Sequence, residues 1–268
     1  NFDNISAFNV NNTQNYYCVD TQKNLYSKNY QTLIKYCNLN CNNSFVLPNR
    51  TIYVDDYAFK NNINLLSIDL NNVKYVGEKS FYNAYNLENI SGDNLKLVEN
   101  FAFHKTKWLS NITNTTKLGK VLIKYNGMEE NLVISDCMCI YSYAFIDNEY
   151  INKVVCDDDV TLINKYAFVN NSNLREVFLL STNANILNSF SFIGNNDTLN
   201  CYMIRSDNMV GYEYGQFRNC YQNFDIIEKK QINCLTTLTH LDNKITKGSA
   251  IYYEFNIDCA KSYTFQST

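Results

Sequence analysis

The chain has almost none of the material from which nucleotide sites and catalytic elbows are built. Its 268 residues include eight glycines, and no G-x-G-x-x-G, G-K-[ST] or G-x-S-x-G run occurs, so neither a phosphate cradle nor a nucleophile elbow is legible. The two histidines, His104 and His240, stand apart from any Cys or Ser in a nucleophile pattern. His104 reads as a solvated turn residue. Basic runs are missing too: the longest is Lys229-Lys230, and a net charge of -3 with a pI near 5.5 offers no field to phosphates, which excludes nucleic acid as a partner. No apolar stretch approaches the roughly eighteen residues of a membrane span, so direct membrane insertion is excluded as well. The chain opens at Asn1 without a charged-then-apolar leader and reads as a mature or trimmed product. Zinc spacing is absent, because Cys37-x3-Cys41 and Cys137-x-Cys139 lack a matching second pair. The acidic run Asp157-Asp158-Asp159 reads as a solvated loop in preference to a calcium site. These absences predict a non-enzyme with no cofactor, no metal and no small-molecule substrate.

What is abundant is aromatic: 22 tyrosines and 16 phenylalanines. They recur in a pattern. An aromatic triplet ends at Phe59, Phe81, Phe103, Phe145, Phe168 and Phe192, at intervals of 22, 22, 42, 23 and 24 residues. Five residues before each Phe stands an aliphatic (Val54, Val76, Val98, Ile140, Ile163, Leu187). After each Phe comes an Asn-rich turn and then a pattern of the form L-x-x-I-x-L, as in Leu65, Ile68, Leu70 or Leu174, Val177, Leu179. The last two positions alternate like a strand with one buried face. One repeat cannot bury that face alone, but stacked repeats can.

This period and spacing, with the run VLPNRTIYVDDYAF above all, resemble the BspA-like (Treponema pallidum type) leucine-rich repeat family over about residues 25–225. The resemblance implies a leucine-rich repeat solenoid with a parallel β-sheet on the concave face, short turns and loops on the convex face, terminal caps and a small β-rich tail. It divides the chain into an N-terminal cap (1–44), repeats with a C-terminal cap (45–225, with an inserted hairpin at about 115–135), and the tail (226–268). Members often interrupt the array with a "vLikY" segment, and this chain has two, TLIKY at 32–36 and VLIKY at 121–125. Both read as architecture. The function implied is a non-catalytic cell-surface or secreted module that binds a host or surface protein, an adhesin-like role. The alternative is a structural scaffold or coat component that assembles with itself or with other surface proteins.

Ten cysteines and nine Asn-x-Ser/Thr sequons favour a secreted or surface location. Bonds Cys201–Cys220 and Cys234–Cys259 are expected, since loose terminal units gain most from a covalent staple. Cys137 and Cys156 fall in apolar columns and should point inward, as free thiols or as a bridge between turns. Asn89, Asn111, Asn114, Asn170 and Asn196 are glycosylation candidates, with Asn89 and Asn111 on the sheet face. The outward strand positions are polar in the early repeats. In the later ones they include Val155, Phe178, Leu180 and Met203, rimmed by Lys153, Glu176 and Arg205, and this apolar stripe is the expected contact surface for a protein partner or for the tail.

Overall fold

The computed structural model describes residues 7–11, 13–38, 42–181, 190–195, 199–204, 223–232 and 251–255. The chain opens with three strands, β1 (Tyr17–Val19), β2 (Leu25–Ser27) and β3 (Thr32–Lys35). Three coils follow, each with two short strands: β4 (Ser44–Val46) and β5 (Tyr53–Val54), β6 (Ser67–Asp69) and β7 (Tyr75–Val76), β8 (Asn89–Ser91) and β9 (Leu97–Val98). A short helix, α1 (Lys107–Ser110), and a hairpin, β10 (Thr116–Leu118) with β11 (Val121–Lys124), interrupt the array. It resumes with β12 (Asn131–Ile134), β13 (Cys139–Ile140), β14 (Lys153–Cys156), β15 (Leu162–Ile163) and β16 (Glu176–Leu179). Strands β17 (Asn200–Ile204), β18 (Asn223–Ile232) and β19 (Ile251–Phe255) complete the order. Equivalent strands of successive coils pair in parallel, so the molecule is a solenoid with two sheets per array.

Each coil is held the same way. The L-x-x-I-x-L strands bury alternate residues, as at Phe45, Ile68 and Ile90, and leave Ser67, Asp69, Asn89 and Ser91 outward or half-buried. The repeated Phe closes the coil from the other side. Phe59, Phe81 and Phe103 stack at 4.6 and 5.5 Å, and Phe145, Phe168 and Phe192 at 4.3 and 4.8 Å. All are buried, which stabilises each coil by about 1.5–3 kcal/mol per ring with about 0.5–1.5 kcal/mol more per stacked pair. The backbone matches the stack: Phe59 N–H donates to the Ser80 carbonyl at 2.7 Å, and Phe81, Phe145 and Phe168 repeat the bond to the next coil at 2.8 Å. Two residues before each Phe the backbone is left-handed, with φ of 51–64° at Tyr57, Lys79, Phe101, Tyr143, Tyr166 and Phe190, a conformation bulky residues rarely adopt.

The two LIKY segments are built alike. β3 pairs antiparallel with β2 and parallel with β5; β11 pairs antiparallel with β10 and parallel with β13. Each tyrosine then takes the place of a repeat Phe. Tyr36 stacks on Phe59 at 4.7 Å and donates its N–H to the Ala58 carbonyl, while Tyr125 packs on Phe145 at 4.9 Å and bonds Ala144. Gly119 turns the second hairpin at φ 57°, against the Leu95 carbonyl, where a side chain would collide.

Three expectations need correction. Leu109 and Ile112, the L-x-x-I positions expected after Phe103, do not form a strand; the Thr106 hydroxyl accepts from Leu109 N–H and caps α1, which places Asn111 at the helix C-terminus and off the sheet face. Trp108 packs edge-on against Phe103, and its backbone N–H donates to the Leu87 carbonyl, closing the array beyond β8. The proposed tail boundary at 226 falls inside β18, and β18 and β19 extend the parallel sheet from β17. His104 is not simply solvated. It is half-buried, near Tyr82, Phe101 and Tyr143 with ring centroids 5.6–5.9 Å away.

The 42-residue interval between Phe103 and Phe145 divides the core into two clusters. Leu122, Ile140 and Ile163 face the core of the second array, whereas Val121, Ile123, Cys139 and Leu162 face the last coil of the first. Apart from the Lys120 N–H, which donates to the Leu95 carbonyl at 2.7 Å, side chains make the bonds across this joint. The Val98 carbonyl accepts from Asn164 Nδ2 at 2.7 Å and from Cys139 Sγ at 3.4 Å. Phe103 N–H donates to Tyr141 Oη at 2.7 Å, and Lys165 N–H to Asn100 Oδ1 at 2.8 Å. Burial pushes the Cys139 thiol and the Tyr141 hydroxyl well above their usual pKa values.

Candidate functional site

The open face of the second array is set by strand parity. Val154, Cys156, Val177 and Leu179 are fully buried, so Lys153, Val155, Glu176 and Phe178 point outward and are half-buried. The parallel register aligns Asn131, Lys153 and Glu176 in one row and Val133, Val155 and Phe178 in the next. Val133, which lies within the hairpin insertion read from the sequence, is 63% exposed and lengthens the apolar row. Its signal was the short apolar run Leu132-Val133-Ile134. Leu180 continues from β16, half-buried, with its N–H donating to the Cys156 carbonyl at 2.9 Å.

Charge frames the row on one side. The Lys153 ammonium lies 4.5 Å from the Phe178 ring centroid and 3.6 Å from Glu176 Oε2, so one cation serves the ring and the carboxylate together. Both side chains of the pair are nearly 40% exposed, at 38% and 39%. Water therefore screens the pair, and it positions more than it stabilises. The expected alignment of Met203 with Phe178 is off by one residue: β17 pairs Tyr202 with Phe178 and Met203 with Leu179. Arg205 lies outside the described residues.

Cys137 and Cys139 are buried free thiols and Cys18 is a half-buried one, while Cys37 and Cys156 are buried. Cys201 occupies β17 opposite Val177, and Cys220, Cys234 and Cys259 lie outside the described residues. Of the sequons, Asn89 is exposed on β8, and Asn111, Asn114 and Asn170 are exposed elsewhere. Asn170 Nδ2 already donates to Asp147 Oδ1 at 3.1 Å. Asn196 and His240 fall outside the described residues. In the aspartate run Asp157 Oδ1 accepts Asp159 N–H at 3.2 Å, and burial, then Asp159, raises the Asp157 carboxyl pKa. Among the described residues no three His, Cys, Asp or Glu side chains gather as metal ligands, and no helix is long and apolar enough to cross a membrane.

Three solved structures are similar to this chain. A pneumococcal vaccine antigen, PcpA, is similar over 84% of this chain at 17% identity with a TM-score of 0.40, and the chain spans about half (50%) of that protein's length. A leucine-rich repeat protein of T. pallidum is 18% identical over 80% of this chain and 90% of its own, with a TM-score of 0.34. One from Eubacterium ventriosum is 21% identical over 72% of this chain and 53% of its own, with a TM-score of 0.44. Among curated proteins, none matches this chain in sequence. The profile of the BspA type leucine rich repeat region matches residues 9–126 and 133–268 in six copies. With nearly the whole chain matched and the repeated Phe, its carbonyl ladder and the parallel strands all in place, the chain belongs to the BspA-type leucine-rich repeat family.

Proposed function

We propose that the chain is a non-catalytic recognition module, displayed outside the cytosol, that binds a protein partner through the open face of its second array. The observation that carries this reading is the in-register row Val133, Val155 and Phe178, an apolar stripe on the wet side of a sheet whose other side is already closed by a core. An aromatic flanked by aliphatics and rimmed by Lys153 and Glu176 has the make-up of an interface centre. The first array offers mainly Ser67, Asp69, Asn89 and Ser91 on the same side. The described strands β18 and β19 lengthen the sheet at its far edge instead of lying across the stripe. Ten cysteines and nine sequons support export.

The test is the pair Phe178→Asp with Leu180→Ser, compared with the parent for binding of purified protein to host or cognate cell surfaces. The double variant should keep its melting temperature and lose affinity by about tenfold or more, roughly 1.4 kcal/mol. A fall in thermal stability together with new protease sensitivity in 226–268 would make the stripe an internal docking site. No change in either would remove this face from consideration.

A further inference from the structure

We propose that a groove on the outer side of the first array, over Tyr53, Tyr75 and Gly77, is a second binding site, one that takes an arginine side chain from a basic segment of a protein partner. This surface is formed by the short strands preceding the Phe turns and is separate from the stripe around Phe178. Parallel register puts Thr32, Tyr53, Tyr75 and Leu97 side by side. Val54, Val76 and Val98 turn inward to the core. Tyr53 and Tyr75 stack at 4.8 Å with planes 12° apart, and Tyr53 remains 45% exposed. The groove above them has a volume of about 410 Å³, within the range of small-ligand clefts.

The next residue but one after Tyr53, Tyr75 and Leu97 sets the rim. The N–H groups of Asp55, Gly77 and Glu99 donate to Leu33, Val54 and Val76 at 2.8–2.9 Å, so the three occupy one position of successive coils. With strands about 4.8 Å apart, Asp55 and Glu99 stand roughly 9–10 Å apart across Gly77. Gly77 brings no side chain between them, and the space a Cβ would take is filled by Asp56, whose Oδ1 lies 2.5 Å from that point and accepts the Glu78 N–H at 2.7 Å. The result is an apolar floor edged by Asp55 and Glu99, with the Asp56 carboxylate beside Gly77 between them.

That charge lacks a counterion among the described residues. Glu78 pairs with Lys79 at 2.6 Å, but no ion pair reaches Asp55, Asp56 or Glu99 among the described residues. Lys35 directs its ammonium to the Tyr57 carbonyl, Lys74 and Lys96 precede the opposite ends of β7 and β9, and Lys165 approaches through its backbone bond to Asn100. The Glu99 carboxyl is correspondingly pushed up, by desolvation first and then by Asp56 and Glu78. A cation in the groove relieves that repulsion. A guanidinium fits better than an ammonium, because its plane can lie against tyrosine and its fork can meet carboxylates on both sides.

The experiment is calorimetric titration of the whole protein with a short peptide of alternating glycine and arginine. Asp55→Asn with Glu99→Gln should weaken binding at least about tenfold and leave the melting temperature equal or higher, since it removes like charges. Glu130→Gln with Asp158→Asn removes the same two charges from exposed positions elsewhere and should bind like the parent. A glycine–lysine peptide should bind more weakly. The proposal is overturned by equal losses in the two double variants, by unsaturable binding to the parent, or by destabilisation of the groove variant, which would mean that a lysine of the chain itself fills the site.

Discussion

His104 shows what a single side chain acquires from a stacked environment. Its ring sits near Tyr82 from the coil before and Tyr143 from the coil after, and burial, then Lys105, lowers its pKa from the ordinary 6.5. Below that value the folded chain binds fewer protons at this site than the unfolded chain. Its contribution to stability is therefore complete above about pH 6.5 and is lost as pH falls through the lowered pKa. Denaturant titrations of the parent and of His104→Gln should show the parent losing stability relative to the variant as pH falls below about 6.5. Parallel curves would mean that the ring is as solvated as its place in a turn suggests. The sequence could not reveal this burial, because the neighbours of His104 are brought in by stacking and not by local pattern. The left-handed Phe101, Tyr143, Tyr166 and Phe190 were hidden for a related reason: turn chemistry leads one to look for Gly or Asn at such φ values.

Strands and turns were far more legible. The Phe spacing located the coils, and the L-x-x-I-x-L frame, with Val154 and Cys156 or Val177 and Leu179 inward, matched the faces in β14 and β16. It failed where a local signal competed with the period. Thr106 before Lys107-Trp108-Leu109 is a helix N-cap, and Trp108 gains more by packing on Phe103 than by continuing a strand. In β17 the frame slipped by one residue, and since side chains alternate at period two, that slip moved Met203 from beside Phe178 to beside Leu179. The LIKY hairpins carry their weight in one ring each. Tyr36 and Tyr125 are buried beneath the first Phe of their arrays, so Tyr36→Ala and Tyr125→Ala should each cost about 3–5 kcal/mol by chemical denaturation. A cost under about 1 kcal/mol for either would show that its hairpin leaves the end of the array unsealed.

For the whole molecule, the decisive region is the joint between the two core clusters. Within an array, coil follows coil through main-chain bonds, but Val98 is satisfied by Asn164 and Cys139, and Phe103 by Tyr141. Asn164 is fully buried, so Asn164→Ala leaves the Val98 carbonyl with only a weak thiol donor and should destabilise the chain by about 1–3 kcal/mol. Because the loss falls on the contact between clusters, unfolding followed by far-ultraviolet dichroism and by tyrosine fluorescence should separate into two steps in the variant. A single coincident transition at the parental midpoint would show that the joint contributes little. Nothing in the sequence announced it, since Asn164 and Val98 are separated by 66 residues and neither breaks the pattern of its own coil. The joint also bears on how such a chain can change length. Main-chain bonds carry no residue identity, so a gene segment encoding one coil of the first array can be duplicated or deleted and the copies will still interlock. The joint is addressed by particular side chains and tolerates no such copying. Length is thus free to drift within each array, while the junction is inherited as a unit.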